Sequence, residues 1–228
     1  MLEKKQRNRK RKYEVNDNFF ISETEESFYV AGFIASDGCI YKNEICIKLS
    51  TNDKKHLEKI NRLLKSNRPI RDYNNEYSGA SVLRVSSKQL IKDLKKFNIV
   101  PCKSLTYEFP DWLKEHSLKH HFMRGYFDGD GSFYLNKQYN EKVCFGLRGT
   151  EKFLLDYRSI LEKECGFEPR KNKMPISSKC YQLGYGGNRN IVNITNFIYK
   201  DATVFLERKK NIALLAKSLK DNLYVQKD

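Results

Sequence analysis

The sequence predicts an α+β protein in which one αββαββα unit occurs twice. Each copy carries a four-stranded antiparallel sheet, and the first helices of the two copies pack together at the centre. Three observations predict this. The stretch "SFYVAGFIASDGCIY" at 27–41 is matched by "HHFMRGYFDGDGSFYL" at 120–135: placing Gly32 on Gly125 also places Phe33 on Tyr126, Ile34 on Phe127, Asp37 on Asp130, Gly38 on Gly131 and Tyr41 on Tyr134. Two copies about ninety residues apart are too widely spaced for a solenoid and suit a duplicated domain. After each copy, segments of strand period and of helix period follow in the same order, and 228 residues with 39% hydrophobic content can supply a real core.

Taken in order, residues 1–24 form a basic arm. Its "KKQRNRKRKYE" crowds Lys4, Lys5, Arg7, Arg9, Lys10, Arg11 and Lys12 without apolar periodicity, which predicts disorder. The first half occupies 25–100. A helix from Glu25 to Ser36 leads into strands "CIYKN" and "EICIKLST", the second alternating Ile45, Ile47 and Leu49 with polar residues. Residues 52–65 begin at a good cap and place Leu57, Ile60, Leu63 and Leu64 on one stripe, an amphipathic helix. Strands at 69–74 and 79–86 and a helix at 87–97 complete the unit. Residues 101–117, with Pro101 and Pro110, read as a linker. The second half, 118–228, repeats the order: helix 118–129, strands 131–138 and 141–149, helix 151–164, strands 168–174 and 178–186, helix 188–199. A further helix in "VFLERKKNIALLAKSLK" closes the chain.

Charge narrows the partner. Lys and Arg total 43 against 28 Asp and Glu, a net charge of +15, which points to a polyanion, with nucleic acid as the first expectation. Aromatic content of 13% implies a folded reader of that polyanion. No apolar run approaches the ~18 to 20 residues of a membrane span and no signal core opens the chain, so the expectation is a soluble, intracellular protein in whichever compartment holds its target. Cys39, Cys46, Cys102, Cys144, Cys165 and Cys180 lack paired spacing and read as reduced thiols. His56, His116, His120 and His121 match no zinc pattern and read as helix-surface residues.

The repeated motif ends a helix on acid, although a helix C-terminus already carries about half a negative charge. A lysine, a capping interaction or a metal ion could offset it. The small residues Ala31 and Ala35, Gly32 and Ser36, and Gly125 and Gly129 recur every fourth position and let two helices approach almost backbone to backbone. Packed so, the two helices bring Asp37 and Asp130 close together at two negative ends, a demand for divalent cations. Gly38 and Gly131 suit a left-handed residue that turns helix into strand. Magnesium held by one or two carboxylates, phosphate oxygens and waters is the ion this chemistry favours, and it supports two-metal phosphodiester hydrolysis. Ca²⁺ and Mn²⁺ are ions that can take the same site. An EF-hand reading of "DGDGSFYLNKQY" fails, because Phe133 and Tyr139 stand where that loop needs Gly and Glu.

Strand alternation sorts the sheet residues. Tyr41 and Asn43 in the first half, and Tyr134, Asn136 and Gln138 in the second, share the exposed face. Second strands add Lys48, Ser50, Lys142 and Arg148, and the third and fourth add Arg71, Arg84, Arg170 and Gln182. These residue types can contact base edges from a β-surface in the major groove.

"VAGFIASDG" and "MRGYFDGDG" resemble the two motifs of the LAGLIDADG homing endonucleases in the single-chain, two-motif form, and the resemblance covers the chain from about residue 20. It implies a pseudo-twofold core whose two sheets form a saddle over DNA, and a monomer acting on a long, nearly asymmetric duplex. It implies that Asp37 and Asp130 bind the metals, with the backbone carbonyls of Ser36 and Gly129. Lys103 in "PCKS" and Lys209 in "LERKK", with Lys210 as a rival, match the family's basic residues near the active site. The motifs depart at Ala35-Ser36, where the family often has Asp-Ala, and at Arg124 and Tyr126, which replace small and aliphatic residues. Adjacent helix ends at a pseudo-twofold axis place the scissile phosphates across the minor groove, roughly 6 Å wide, which gives short 3′ overhangs; the resemblance implies four nucleotides. A non-cleaving binder on the same fold, an RNA maturase with intron RNA as partner or a transcriptional regulator, has no need to keep both acids. Met1, with no Cys or Ser at the start and no His-Asn end, speaks against a self-splicing intein and for a free-standing protein, such as an intron-encoded one.

Overall fold

The computed structural model describes residues 11–74, 79–136 and 142–225, with side chains to 218. Gln138 and the arm residues Lys4, Lys5, Arg7, Arg9 and Lys10 lie outside the described residues. The first half runs α1 (Glu25–Asp37), β1 (Gly38–Tyr41), β2 (Glu44–Ser50), α2 (Lys54–Leu63), β3 (Arg71–Asn74), β4 (Gly79–Ser86) and α3 (Lys88–Leu94). The second runs α4 (Lys119–Asp130), β5 (Gly131–Asn136), β6 (Lys142–Gly149), α5 (Glu151–Cys165), β7 (Ile176–Ser177), β8 (Cys180–Gly186) and α6 (Asn188–Ile198), and α7 (Glu207–Val225) follows. Each half forms one antiparallel sheet, in the orders β1-β2-β4-β3 and β5-β6-β8-β7, so the duplication extends to strand order and the fold is the pseudo-twofold saddle. Among the described residues no helix is long and apolar enough to cross a membrane.

The centre of the molecule is the α1–α4 contact. Every residue of α1 from Ser27 to Ala35 is buried, as expected of a helix enclosed on all sides. A Cβ added at Gly32 would stand 2.0 Å from the Phe122 carbonyl oxygen, and one at Gly125 would stand 2.0 Å from that of Tyr29. The small-residue spacing therefore does what its sterics demand. The glycines that end the motif helices work differently from expectation: Gly38 (φ −89°) and Gly131 (φ −96°) are extended, not left-handed. They are glycine because a Cβ would meet Ile34 Cα at 2.7 Å or the Phe127 ring at 2.1 Å.

Other expectations need correction. Phe19 and Phe20 belong to the core and the Asn16 N–H bonds the Leu64 carbonyl, so residues 15–20 are a packed strap and not part of a disordered arm. In the linker, Tyr107, Phe109 and Leu113 are buried. Residues 168–174 make no strand; Pro169 and Pro175 lack the N–H a ladder needs, and pairing starts only at Ile176 and Ser177, opposite Tyr181 and Cys180. Ser50 caps the 3₁₀ turn Thr51–Asp53 that precedes α2, accepting from the Asn52 N–H, while Asp53, at the N-cap of α2, makes no capping bond and pairs with Arg208. His56, His120 and His121 are buried and not on helix surfaces.

Two of those histidines, His56 beside Tyr29 and His121 beside Arg124, belong to a buried polar network that has no twofold partner. Arg124 and Asp128 occupy the positions of Ala31 and Ala35 in the aligned motif. Arg124, fully buried, donates to Glu25 Oε1 (2.6 Å) and to the carbonyls of Val204 (2.9 Å) and Ile198 (3.0 Å). Glu25 also accepts from the N–H groups of Thr203 and Val204, and these bonds hold its carboxyl below the usual range against the cost of burial. Asp128 accepts from the Tyr29 hydroxyl (2.7 Å) and the Leu206 N–H (2.8 Å). The Tyr29 oxygen lies 2.9 Å from His56 Nε2, and since the hydroxyl proton goes to Asp128, His56 Nε2 carries the proton of that contact. Together they pin the segment leading into α7 onto the helix pair.

Gly125→Ala should destabilise the protein by at least about 1–3 kcal/mol, because backbone cannot yield to the added methyl. Urea unfolding reads this, and an unchanged midpoint would contradict the contact.

Burial, with Lys59 second, pushes the His56 imidazole down to about 4. The unfolded chain takes up this proton near 6.5 and the folded chain does not, so the His56 contribution to stability is full above that pH and is lost as pH falls towards 4. Asp37 and Asp128, raised carboxyls, act in the opposite sense, so wild type alone mixes the two. The Tm deficit of His56→Gln relative to wild type should therefore narrow between pH 7 and pH 4.5; a constant deficit across thermal melts would refute the neutral, buried imidazole.

Candidate active site

Asp37 and Asp130 are the last residues of α1 and α4, and neither helix has a basic residue in its own last turn. Two lysines from outside the motif helices supply the offset. Lys103 lies in a short 3₁₀ turn entered through the left-handed Cys102, and its Nζ donates to the Gly38 carbonyl at 2.8 Å. Lys209, in the first turn of α7, donates to the carbonyls of Phe127 (2.9 Å), Asp128 (2.6 Å) and Gly129 (3.1 Å) at the end of α4, the first of which also accepts from the Gly131 N–H. Both are almost wholly buried. Beside them, Lys210 turns away onto the Phe205 ring, 3.7 Å from its centroid, and Arg208 grips Asp53 of the first half at 2.9 and 3.0 Å.

The carboxylates and ammoniums crowd one another. Burial, then the Asp130 charge, pushes Asp37 up to about 6, with Lys209 and Lys103 opposing. Asp130 moves the same way, by burial, against Lys103, Lys209 and Arg148. Burial presses Lys209 down to about 8 and lowers Lys103. The helix ends touch: a Cβ at Gly129 would stand 1.9 Å from Ser36 Oγ and 3.3 Å from Asp37 Cγ. Among the described residues no three His, Cys, Asp or Glu side chains converge into a metal cluster. The donors present are the two carboxylates, beside a Gly129 carbonyl that already accepts from Lys209. These fit a hard cation that completes its shell with water and phosphate oxygens, and they do not fit zinc.

Residues expected on the reading faces fall into three groups. Tyr41, Lys48, Ser50, Arg71, Tyr134, Lys142 and Arg148 are exposed on or beside the two sheets. Asn43 is exposed in the β1–β2 turn, one residue beyond left-handed Lys42. Arg84, Gln182 and Asn136 are half-buried, Arg84 with its Nη1 3.7 Å from Glu44. Arg170 is exposed but stacks on the Tyr185 ring at 4.1 Å and donates to the Gly184 carbonyl at 2.8 Å.

Sequence reasoning missed Asp128, Tyr29 and His56 behind the site, and Glu25 and Arg124 beneath it. Asp128, fully buried and pushed up to about 6 by burial, holds Leu206 and through it the start of α7, where Lys209 sits. The one available signal was the departure of Arg124 and Asp128 from the small residues of the first motif.

A profile of the LAGLIDADG-like domain matches residues 24–98 and 117–199. Among solved structures the chain is similar to the LAGLIDADG meganuclease I-CpaMI bound to uncleaved DNA, at a TM-score of 0.59 and 12% identity over 88% of this chain and 93% of that one. It is likewise similar to the LAGLIDADG homing endonuclease I-GzeII in complex with its DNA target (TM-score 0.56, 16% identity, 89% and 93% covered) and to I-SmaMI bound to cleaved DNA (0.58, 12%, 89% and 92%). A probable translation initiation factor IF-2 of Methanocaldococcus jannaschii is 24% identical over 192 residues, so that the match takes in 77% of this chain but the chain spans only 15% of that protein's length. The match of both halves to the family profile, on a duplicated saddle with paired aspartates at its centre, establishes that the chain belongs to the LAGLIDADG-like family.

Proposed function

We propose that this protein is a site-specific double-strand DNA endonuclease that acts as a monomer on one long, nearly asymmetric duplex. The observation that carries the reading is the pair of carboxylates retained at both helix ends, each with a buried lysine ammonium at its helix terminus. A scaffold that only binds nucleic acid has no use for two mutually repelling acids. Each charge would be selected against, because it stands at the negative end of a helix. That the similar structures are described as endonucleases bound to DNA supports the reading.

Asp37 and Asp130, with the carbonyls of Ser36 and Gly129, would hold Mg²⁺ (Ca²⁺ and Mn²⁺ being ions of matching chemistry). That ion supplies a nucleophilic water and a counter-charge for the leaving oxygen. The chain's own part is placement. Lys103 and Lys209 keep one ammonium beside each carboxylate, where charge builds on a phosphate in the transition state, and their burial keeps them from being screened by water. Arg148 adds positive charge next to Asp130. The exposed basic and polar residues of the sheets bind the flanking major grooves, and helix ends on the pseudo-twofold axis address the two strands across the minor groove.

Asp37→Asn and Asp130→Asn should each abolish double-strand cleavage while leaving specific binding within about tenfold, since binding rests on phosphate and base contacts elsewhere. Plasmid cleavage alongside gel-shift titration measures both, and full cleavage by either variant refutes the assignment; the non-cleaving reading, a maturase or regulator, would be favoured if wild type binds a duplex and never cuts it.

Sequenced ends should carry 3′ overhangs of four nucleotides, the length the family resemblance implies. Blunt or 5′-extended ends would mean that the two acids do not face each other across the minor groove.

A further inference from the structure

Strand register allows the two sheets to be compared row by row. In the first, Cys39 faces Cys46, which faces Arg84. Gly38 pairs with Ile47 and Gly131 with Leu147, so the pseudo-symmetric row of the second sheet is Ser132, Gly146 and Gly184. This is the row of the exposed face that begins immediately beyond the active-site aspartate. In the first half it ends in a half-exposed guanidinium. In the second it has no side chain larger than serine.

The consequence is a trough. A groove of about 770 Å³ opens beside Asp130 and runs across this row, walled by Tyr134 on one side and by Arg148 and Gln182 on the other. Its floor is the backbone of the sheet, whose N–H and C=O groups are spent in the strand ladder. The Gly184 carbonyl also accepts from Arg170, whose own guanidinium stays on the Tyr185 ring. The one side-chain polar group left in the row is the Ser132 hydroxyl, which donates or accepts and so favours no base. Nothing backbone-related requires glycine at 184: its φ is not left-handed, and a Cβ there would meet only the Phe145 carbonyl oxygen, at 3.8 Å.

We infer that the Ser132–Gly146–Gly184 row is a base-tolerant subsite: the base pair lying over it is accepted whatever its identity, with water filling the gap, while the pseudo-symmetric base pair of the first half-site is discriminated by Arg84. The target thus carries unequal information in its two halves, and the inequality is set by one position, Arg84 against Gly184. This rests on the proposed DNA-binding function and specifies how that site chooses its substrate.

The test is selection of bound duplexes from a randomised library by the full chain in magnesium-free buffer, with the recovered sequences aligned on one another and the centre of the site taken as the midpoint of the protein's footprint on them. Wild type should show one near-central position of the first half-site with at least about tenfold preference for a single base pair, and its twofold mate within about threefold for all four. Gly184→Arg should sharpen the flat position by about tenfold or more, since a bidentate arginine is a strong base discriminator. Arg84→Gly should flatten the sharp one. Gly184→Gln serves as a second gain-of-contact variant should the arginine disturb folding, which circular dichroism reports. Equal discrimination at both positions in wild type, or a position that stays flat in both folded Gly184 variants, overturns the subsite while leaving the endonuclease reading intact. Recovery of no preferred sequence at all overturns both.

Discussion

The contact on which the rest depends is the approach of α1 to α4 through Gly32 and Gly125, where a single methyl on either helix would run into the carbonyl of the other. Because the helices meet backbone to backbone, their C-termini lie together and their terminal aspartates share one small volume. Because each helix passes directly into a strand at Gly38 or Gly131, the two sheets are launched from that same point in pseudo-twofold relation. Site, saddle and axis are thus three consequences of one steric fact.

Bringing two acids to two negative helix ends is unfavourable, and much of the remaining structure serves to offset it. Lys209 takes up three carbonyls of the last turn of α4, and Lys103 takes up the carbonyl that follows Asp37. Each lysine loses solvation in doing so, which is why Lys209 is pressed down to about 8. The arrangement is kept because the elements bearing the lysines are tied down. The Asp128–Leu206 bond, the Glu25 bonds to 203 and 204 and the Arg208–Asp53 pair anchor the start of α7 to both halves. Cutting Asp128 out of this set would leave a buried hydroxyl and a backbone N–H without their acceptor, a cost of the order of 1–3 kcal/mol for each group.

The duplication is not a symmetric one. Arg124 and Asp128 replace alanines of the first motif and build a buried polar network on one side only, and Gly146 and Gly184 empty a row of the second sheet that Cys46 and Arg84 occupy in the first. A protein with both halves in one chain is free to diverge this way, since no second copy must satisfy the same surface.

By itself the sequence determined the duplication, the order of elements, the helix pair and the identity of the paired acids, because each is written as local spacing: period two or period 3.6, a small residue every fourth position, an Asp-Gly at each helix end. Family resemblance alone pointed to Lys103 and Lys209, which the structure sets at the two helix ends, since nothing local distinguishes them from other lysines. Only the tertiary structure decided what Gly38 and Gly131 are for, because close approach to Ile34 and Phe127 cannot be told from a left-handed turn by composition. The same holds for the burial of Phe19, Phe20 and three histidines, for Pro169 and Pro175 cutting a strand to Ile176–Ser177, and for the choice of Lys209 over Lys210 at the helix end. The two glycines meet their own helices one turn back, whereas the other outcomes rest on contacts distant in the chain, such as Asn16 with Leu64, Tyr29 with His56 and Lys209 with Gly129, and periodicity, which is a property of neighbours, carries no record of them.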